Sequence, residues 1–98
     1  MYVVRSIFTC KPGKAKELIA RFKAAEPHLR ELGIDNVRIL SDAAAGFWTV
    51  VVESEVESLD RYFDALRTRP PGSELQEAMG DYMELVTGGG REIFRLES

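Results

Sequence analysis

The stretch "GFWTVVVESE", residues 46–55, decides how the chain must be read. A strand with one face in water alternates apolar and polar side chains, whereas Phe47, Trp48, Thr49, Val50, Val51 and Val52 run almost without a polar break. Both faces of this strand must therefore be covered. Just upstream, "NVRIL" is a short strand and "SDAAAG" a turn, so the two strands form a hairpin with a loop longer than the minimum.

Working outward from the hairpin, residues 2–10, "YVVRSIFTC", read as a first strand, and "KPG" turns the chain into a helix. From Gly13 to Leu32 the apolar positions Ala15, Leu18, Ile19, Phe22, Ala25, Leu29 and Leu32 keep the helical spacing that makes one buried stripe. Pro27 removes one backbone bond inside that helix, which predicts a kink or short break near Glu26, and Gly33 is its stop. After the hairpin, Ser58 caps a helix with Leu59, Tyr62, Phe63 and Leu66 on its buried side, ended by Pro70 and Pro71. Ser73 with Gln76 fits a capping box and opens a further helix carrying Leu75, Met79, Tyr82, Met83 and Val86 on one face. "GGG" at 88–90 is expected to end it, and "REIFRLE" to be the last strand.

The order β-α-β-β-α(α)-β is the ferredoxin-like, split βαβ arrangement of the α+β class, a single domain spanning residues 1–98. Its four antiparallel strands, in the order 4-1-3-2, carry the helices on one face and leave the other bare. Alternation sorts the strands. Tyr2, Val4, Ser6, Phe8, Val37, Ile39, Trp48, Val50, Val52, Phe94 and Leu96 make an almost wholly apolar set, expected beneath the helices. The complementary set, Val3, Arg5, Ile7, Thr9, Arg38, Leu40, Phe47, Thr49, Val51, Glu53, Arg91, Ile93 and Arg95, mixes aliphatic and charged groups as an interface does. Left in water, its apolar members would form a costly exposed patch, and a second copy packed sheet against sheet is the simplest cover. The dimer interface is accordingly expected at Val3, Arg5, Ile7, Arg38, Phe47, Thr49, Val51, Glu53, Ile93 and Arg95, with Arg5 and Glu53 pairing on adjacent strands.

Composition excludes several classes. At 98 residues the chain buries roughly 65% of its unfolded surface, enough for one core that association would reinforce. It has no run able to cross a bilayer, and "MYVVRSIF" lacks the features of a signal peptide, so a cytoplasmic protein without a membrane partner is expected. The net charge of -3 opposes nucleic-acid binding despite the small Arg61, Arg67, Arg69 cluster. No helix-turn-helix is appended, and the exposed aromatic pairs of an RNA-reading sheet are missing.

The chemistry-bearing residues are few. One cysteine allows neither an internal disulfide nor a CxxC or zinc arrangement. Cys10 and His28 stand at opposite ends of the first helix, ~22 Å of helix apart at 1.5 Å per residue, so they cannot act as nucleophile and base within one subunit. Glu53, Glu55 and Glu57 alternate without the further oxygen ligands a metal needs, and "GGGRE" lacks the lysine and hydroxyl of a phosphate loop. Arg5, Arg38 and Arg95 would suit either an anionic ligand inside a barrel or paired interface charges, with the pairs preferred. Tyr2, Phe8, Phe22, Trp48, Tyr62, Met79, Tyr82 and Met83 are either the lining of an apolar ligand cavity or plain core, and a domain this small needs most of its aromatics for packing.

The strings "MYVVRSIFTCKPGKAKELIARFKAA", "VRIL…GFWTVVVESEVESLDRYFDAL" and "GGGREIFRLES" resemble the dimeric α/β-barrel superfamily, and within it the NIPSNAP-like and antibiotic-biosynthesis-monooxygenase-like (ABM) small proteins. The resemblance covers nearly the whole chain and is carried by pattern and by short strings such as "KPGKA" and "REIFR". It implies a homodimer whose two sheets pack into a barrel, with a small-molecule cavity between each sheet and its own helices. By resemblance alone, an enzyme of this type would be a monooxygenase working without a cofactor. Haem-degrading members carry their ligating His on the second helical region, whereas the only His here, His28, lies on the first. Two functions stay open: a homodimer that binds or oxidises a small apolar or aromatic molecule, and a non-catalytic dimeric regulatory or accessory module.

Overall fold

A computed structural model describes residues 1–44, 46–67 and 73–98. Strand β1 (Tyr2–Cys10) leads to helix α1 (Ala15–Glu31), then to β2 (Asp35–Ser41) and β3 (Thr49–Val56). Helices α2 (Leu59–Arg67) and α3 (Glu74–Met79) follow, then a 3-10 turn over Tyr82–Leu85 and strand β4 (Val86–Arg95). The strands form one antiparallel sheet in the order β2-β3-β1-β4, as the ferredoxin-like reading requires. The molecule is 19 Å across its thinnest direction, one sheet plus one layer of helices. Among the described residues nothing forms a second layer on the opposite face of the sheet.

The expected helix stop at Gly33 and helix cap at Ser58 behave as read. Leu29 and Arg30 carbonyls accept from the first residues past α1, and the Ser58 hydroxyl accepts from the Arg61 N–H at 3.3 Å. Ser73 likewise caps α3 by accepting from the Gln76 N–H at 3.1 Å. Helix α1 corrects one expectation, since it runs without a break through Pro27. Arg30 Nη2 lies 2.6 Å from Glu26 Oε1 along the following turn, while Leu18, Phe22 and Ala25 anchor the buried stripe. The stop at Pro70 and Pro71, and Arg69 of the basic cluster, lie outside the described residues.

The last third of the chain corrects the sequence reading most. The helix opened by Ser73 ends at Gly80 (φ 55) instead of running on to Val86. There Arg21 reaches across from α1, donating to the Met79 carbonyl at 3.3 Å and pairing with Asp81 at 2.9 Å, so a side chain at position 80 would meet its guanidinium. Gly88, Gly89 and Gly90 do not end a helix: they lie inside β4, opposite Thr9, Phe8 and Ile7.

The β4 register also reverses the two faces expected of that strand. Ile93 pairs with Val4, Arg91 with Ser6 and Arg95 with Tyr2, all on the helix side, whereas Phe94 and Glu92 share the bare side with Val3 and Arg5. The two arginines stay exposed at this edge of the sheet and each covers an aromatic face: Arg91 sits 5.7 Å from the Tyr62 ring centre and Arg95 5.9 Å from that of Tyr2. Phe94 is 48% exposed and Leu96 lies beyond the strand, so neither belongs to the core in which they were expected.

The opening stretch is corrected at its start. Strand β3 begins at Thr49, and Phe47 and Trp48 belong to the turn before it. Trp48 has φ 59, a left-handed conformation that removes it from the strand's alternation and from beneath the helices, and Phe47 is 86% exposed. From Thr49 on the alternation is regular, with Val50, Val52, Ser54 and Val56 buried beneath the helices and Thr49, Val51, Glu53 and Glu55 half-buried on the bare side.

Candidate ligand cavity

The core is divided into two clusters. One joins Leu18, Phe22 and Ala25 of α1 to Val50 and Val52 of β3 and to Leu75 and Met79 of α3. The other joins Val4, Ile34 and Val56 to Tyr62 of α2. At the seam between them lies a cavity of about 120 Å³ whose floor is the helix side of the sheet and whose roof comes from α1, α2, α3 and the 3-10 turn. Five of the eight expected lining residues meet there: Phe8, Phe22, Tyr62, Met79 and Tyr82. Phe8, Phe22 and Tyr82 form a ring cluster with centroids 5.3 to 6.3 Å apart, which closes one end.

The other three lie elsewhere. Tyr2 packs against the second core cluster beneath Arg95, Trp48 is in the hairpin turn, and Met83 is 64% exposed on the 3-10 turn, outside the cavity proper. Of the polar members, Tyr62 was expected, and Ser6, Ser54 and Arg91 were not. Ser6 and Ser54 lie on the floor, Tyr62 projects from α2, and Arg91 stands at the β4 edge. Serines in an otherwise apolar strand face were a legible signal, since alternation already placed Ser6 beneath the helices. Arg91 was hidden by the reversed register of β4.

Burial pushes the Tyr62 hydroxyl above the ordinary tyrosine range, with Arg91 and a hydrogen bond with Ser6 pulling the other way. It is therefore a neutral hydroxyl at physiological pH, able to donate and accept. Among the described residues lining the cavity there is no carboxylate, histidine or thiol. The arrangement can enclose an apolar body and orient it through hydroxyls and one guanidinium.

The cavity continues outward. A groove of about 470 Å³ shares Ser6, Phe8, Tyr82 and Arg91 with it and runs over Gly88, Gly89 and Gly90 at the β4 edge. Three residues without side chains leave this edge low. At Gly89 the backbone needs it, because a Cβ there would stand 2.1 Å from the Ile7 carbonyl oxygen.

The remaining candidates separate. Cys10 is buried, with its thiol pushed up by burial first and by Asp42 second, while His28 faces Glu74 at 3.3 Å. Glu53 accepts from Arg5 at 2.9 Å and from Arg38, and Arg5 also lies 3.7 Å from Glu92, so the expected interface pair forms within one chain. No group of acidic, His or Cys side chains among the described residues is placed to hold a metal.

No protein-family model matches the sequence, and no curated protein matches it either. Solved structures do match in shape. A candidate antibiotic biosynthesis monooxygenase from Bordetella bronchiseptica superposes with a TM-score of 0.79 at 14% identity, covering 97% of this chain and 95% of that one. One from Nitrosomonas europaea gives 0.77 at 15% identity over the whole of both chains. An uncharacterised NIPSNAP-like domain protein from Burkholderia xenovorans gives 0.76 at 18%, covering 99% of this chain and 85% of that one. The fold is the ABM/NIPSNAP-like form of the ferredoxin-like fold. At these identities the likeness is one of fold.

Proposed function

We propose that the protein is a cytoplasmic homodimer that binds a small apolar or aromatic molecule, without a cofactor, in the cavity between its sheet and helices. The observation that carries this reading is the seam between the two core clusters: a cavity floored by two serines and roofed by Tyr62, opening onto a groove at a glycine-lined edge. Packing alone would favour closing such a seam, because interiors otherwise fill to crystal-like density. A ligand-binding protein keeps it open.

Dimerisation rests on the uncovered face. Val3, Ile7, Leu40, Val51 and Phe94 share that side around the Arg5, Arg38 and Glu53 cluster, on a slab only 19 Å thick. An apolar field of this kind, broken by paired charges, suits a self-complementary contact. Val3, Arg5, Ile7, Arg38, Thr49, Val51 and Glu53 lie on this bare side as expected, Phe47 lies in the hairpin turn, and Ile93 and Arg95 give way to Phe94 and Glu92 in the proposed contact. No helix among the described residues is long and apolar enough to cross a membrane, and the acidic net charge keeps nucleic acid an unfavourable partner.

Oxidation of the bound molecule, the activity in the names of the ABM-type structures, would on this chain need a substrate that itself supplies the electrons to oxygen. A second reading, a non-catalytic dimeric accessory module, is favoured by one observation: 120 Å³ is below the roughly 300 Å³ at which ordinary ligand pockets begin. Soaking crystals of the purified protein with single-ring aromatics separates the two. Density in the seam supports the binding protein, and a seam that stays empty at saturating ligand rejects it.

A further inference from the structure

Arg91 and Arg95 are the two β4 arginines without an acidic partner among the described residues; Arg95 stacks on Tyr2, and only Arg91 of the two lines the cavity and its groove. Arg5 and Arg38 are paired with Glu53, whereas Arg91 has no acidic partner among the described residues and lies over the ring faces of Tyr62 and Phe63, at 5.7 and 6.0 Å. Ring-face contacts hold the guanidinium's position through its charge and leave its N–H donors without a protein acceptor, on a residue that is exposed at the cavity mouth. It lines both the inner cavity and the outer groove, so it stands at the junction that a ligand passes. No carboxylate among the described lining residues competes for it, and Ser6 and Tyr62 supply hydroxyls beside it.

The inner volume limits what fits. A dry protein cavity of about 150 Å³ holds one benzene ring, and 120 Å³ with an open end takes a body of that size, not a polycyclic one. One unpaired cation at the mouth balances one negative charge, and a planar guanidinium fork matches a carboxylate.

Resting on the cavity reading above, we propose that the ligand is a monoanionic acid of single-ring size, with its carboxylate on Arg91 and its apolar body between Phe22, Val52 and Met79. The acid enters along the groove over Gly88–Gly90, charged end last.

The test is an NMR titration of the full chain with benzoate and with benzyl alcohol, which share a ring and differ in charge, followed at the Val52 and Ser54 amides. Benzoate is expected to bind about tenfold more tightly than the alcohol. Arg91→Met should abolish that preference, and Arg91→Lys should retain part of it. Equal affinities in the native protein, or a preference that survives Arg91→Met, would overturn the anion assignment while leaving the cavity in place. If neither probe moves the cavity amides, the cavity reading falls too.

Discussion

Arg5 and Glu53 face each other across the two central strands, Nη2 to Oε2 2.9 Å apart, on the side of the sheet that no helix covers. Glu53 also accepts from Arg38 on its other side, so one carboxylate bridges β1, β3 and β2. The hydrogen bond from Arg38, then that from Arg5, holds its carboxyl below the ordinary glutamate range. A depressed folded-state value means that the unfolded chain binds the proton more readily. The contribution is complete above the unfolded value of about 4.3 and is lost as the pH falls through the lower folded one. Urea midpoints measured from pH 6 downward should therefore fall in acid, and Glu53→Gln should flatten that fall. A slope unchanged by the substitution would show that the bridge does not couple to folding.

Val51 stands opposite Ile7 at the centre of the same face. Val51→Asp puts an unpaired charge where a second copy is proposed to pack, and burying such a charge is strongly unfavourable. Light scattering should find monomers or aggregates in place of a dimer. An intact dimer of undiminished stability would mean that the copies meet elsewhere.

Gly89 and Gly88 are neighbours in β4 with opposite tolerance. A Cβ at 89 would overlap the Ile7 carbonyl, whereas one at 88 has no atom within 4 Å. Gly89→Ala is expected to destabilise the fold by about 2 kcal/mol, in the range of overpacking, while Gly88→Ala should be neutral or slightly stabilising. Thermal melts of the two variants give the comparison, and equal melting temperatures would contradict the β4 register.

Trp48 lies in the hairpin turn and not in the cavity. Trp48→Ala should leave the affinity for single-ring ligands within about twofold, whereas Met79→Ala, at the cavity wall, should change it severalfold. Titration of both variants with benzoate reads the difference, and loss of binding in Trp48→Ala would return the tryptophan to the site.

Much of this architecture was legible because β1 and β3 are central and apolar on both sides. Their alternation fixes the pairing of Arg5 with Glu53 and places Ser6 beneath the helices, where the structure has the cavity floor. The β4 edge was not legible. Its glycines carry no pattern, and with Arg91, Ile93 and Arg95 on one side and Glu92 and Phe94 on the other, hydrophobicity alone favoured the wrong face. What decides it is the stacking of Arg91 and Arg95 on rings contributed by α2 and β1, a long-range contact. Gly80 was readable as a helix stop, but the capping box at Ser73 and the apolar spacing to Val86 argued for a longer helix until Arg21 is seen to bind its end. Trp48 left its strand through a single positive φ, which apolar periodicity cannot register.

The most direct measurement is native mass spectrometry of the protein purified gently from its own cells. The account predicts two 11.0 kDa chains carrying a small acid in each cavity. A bare single chain that also fails to take up added benzoate would contradict both the dimer and the binding site.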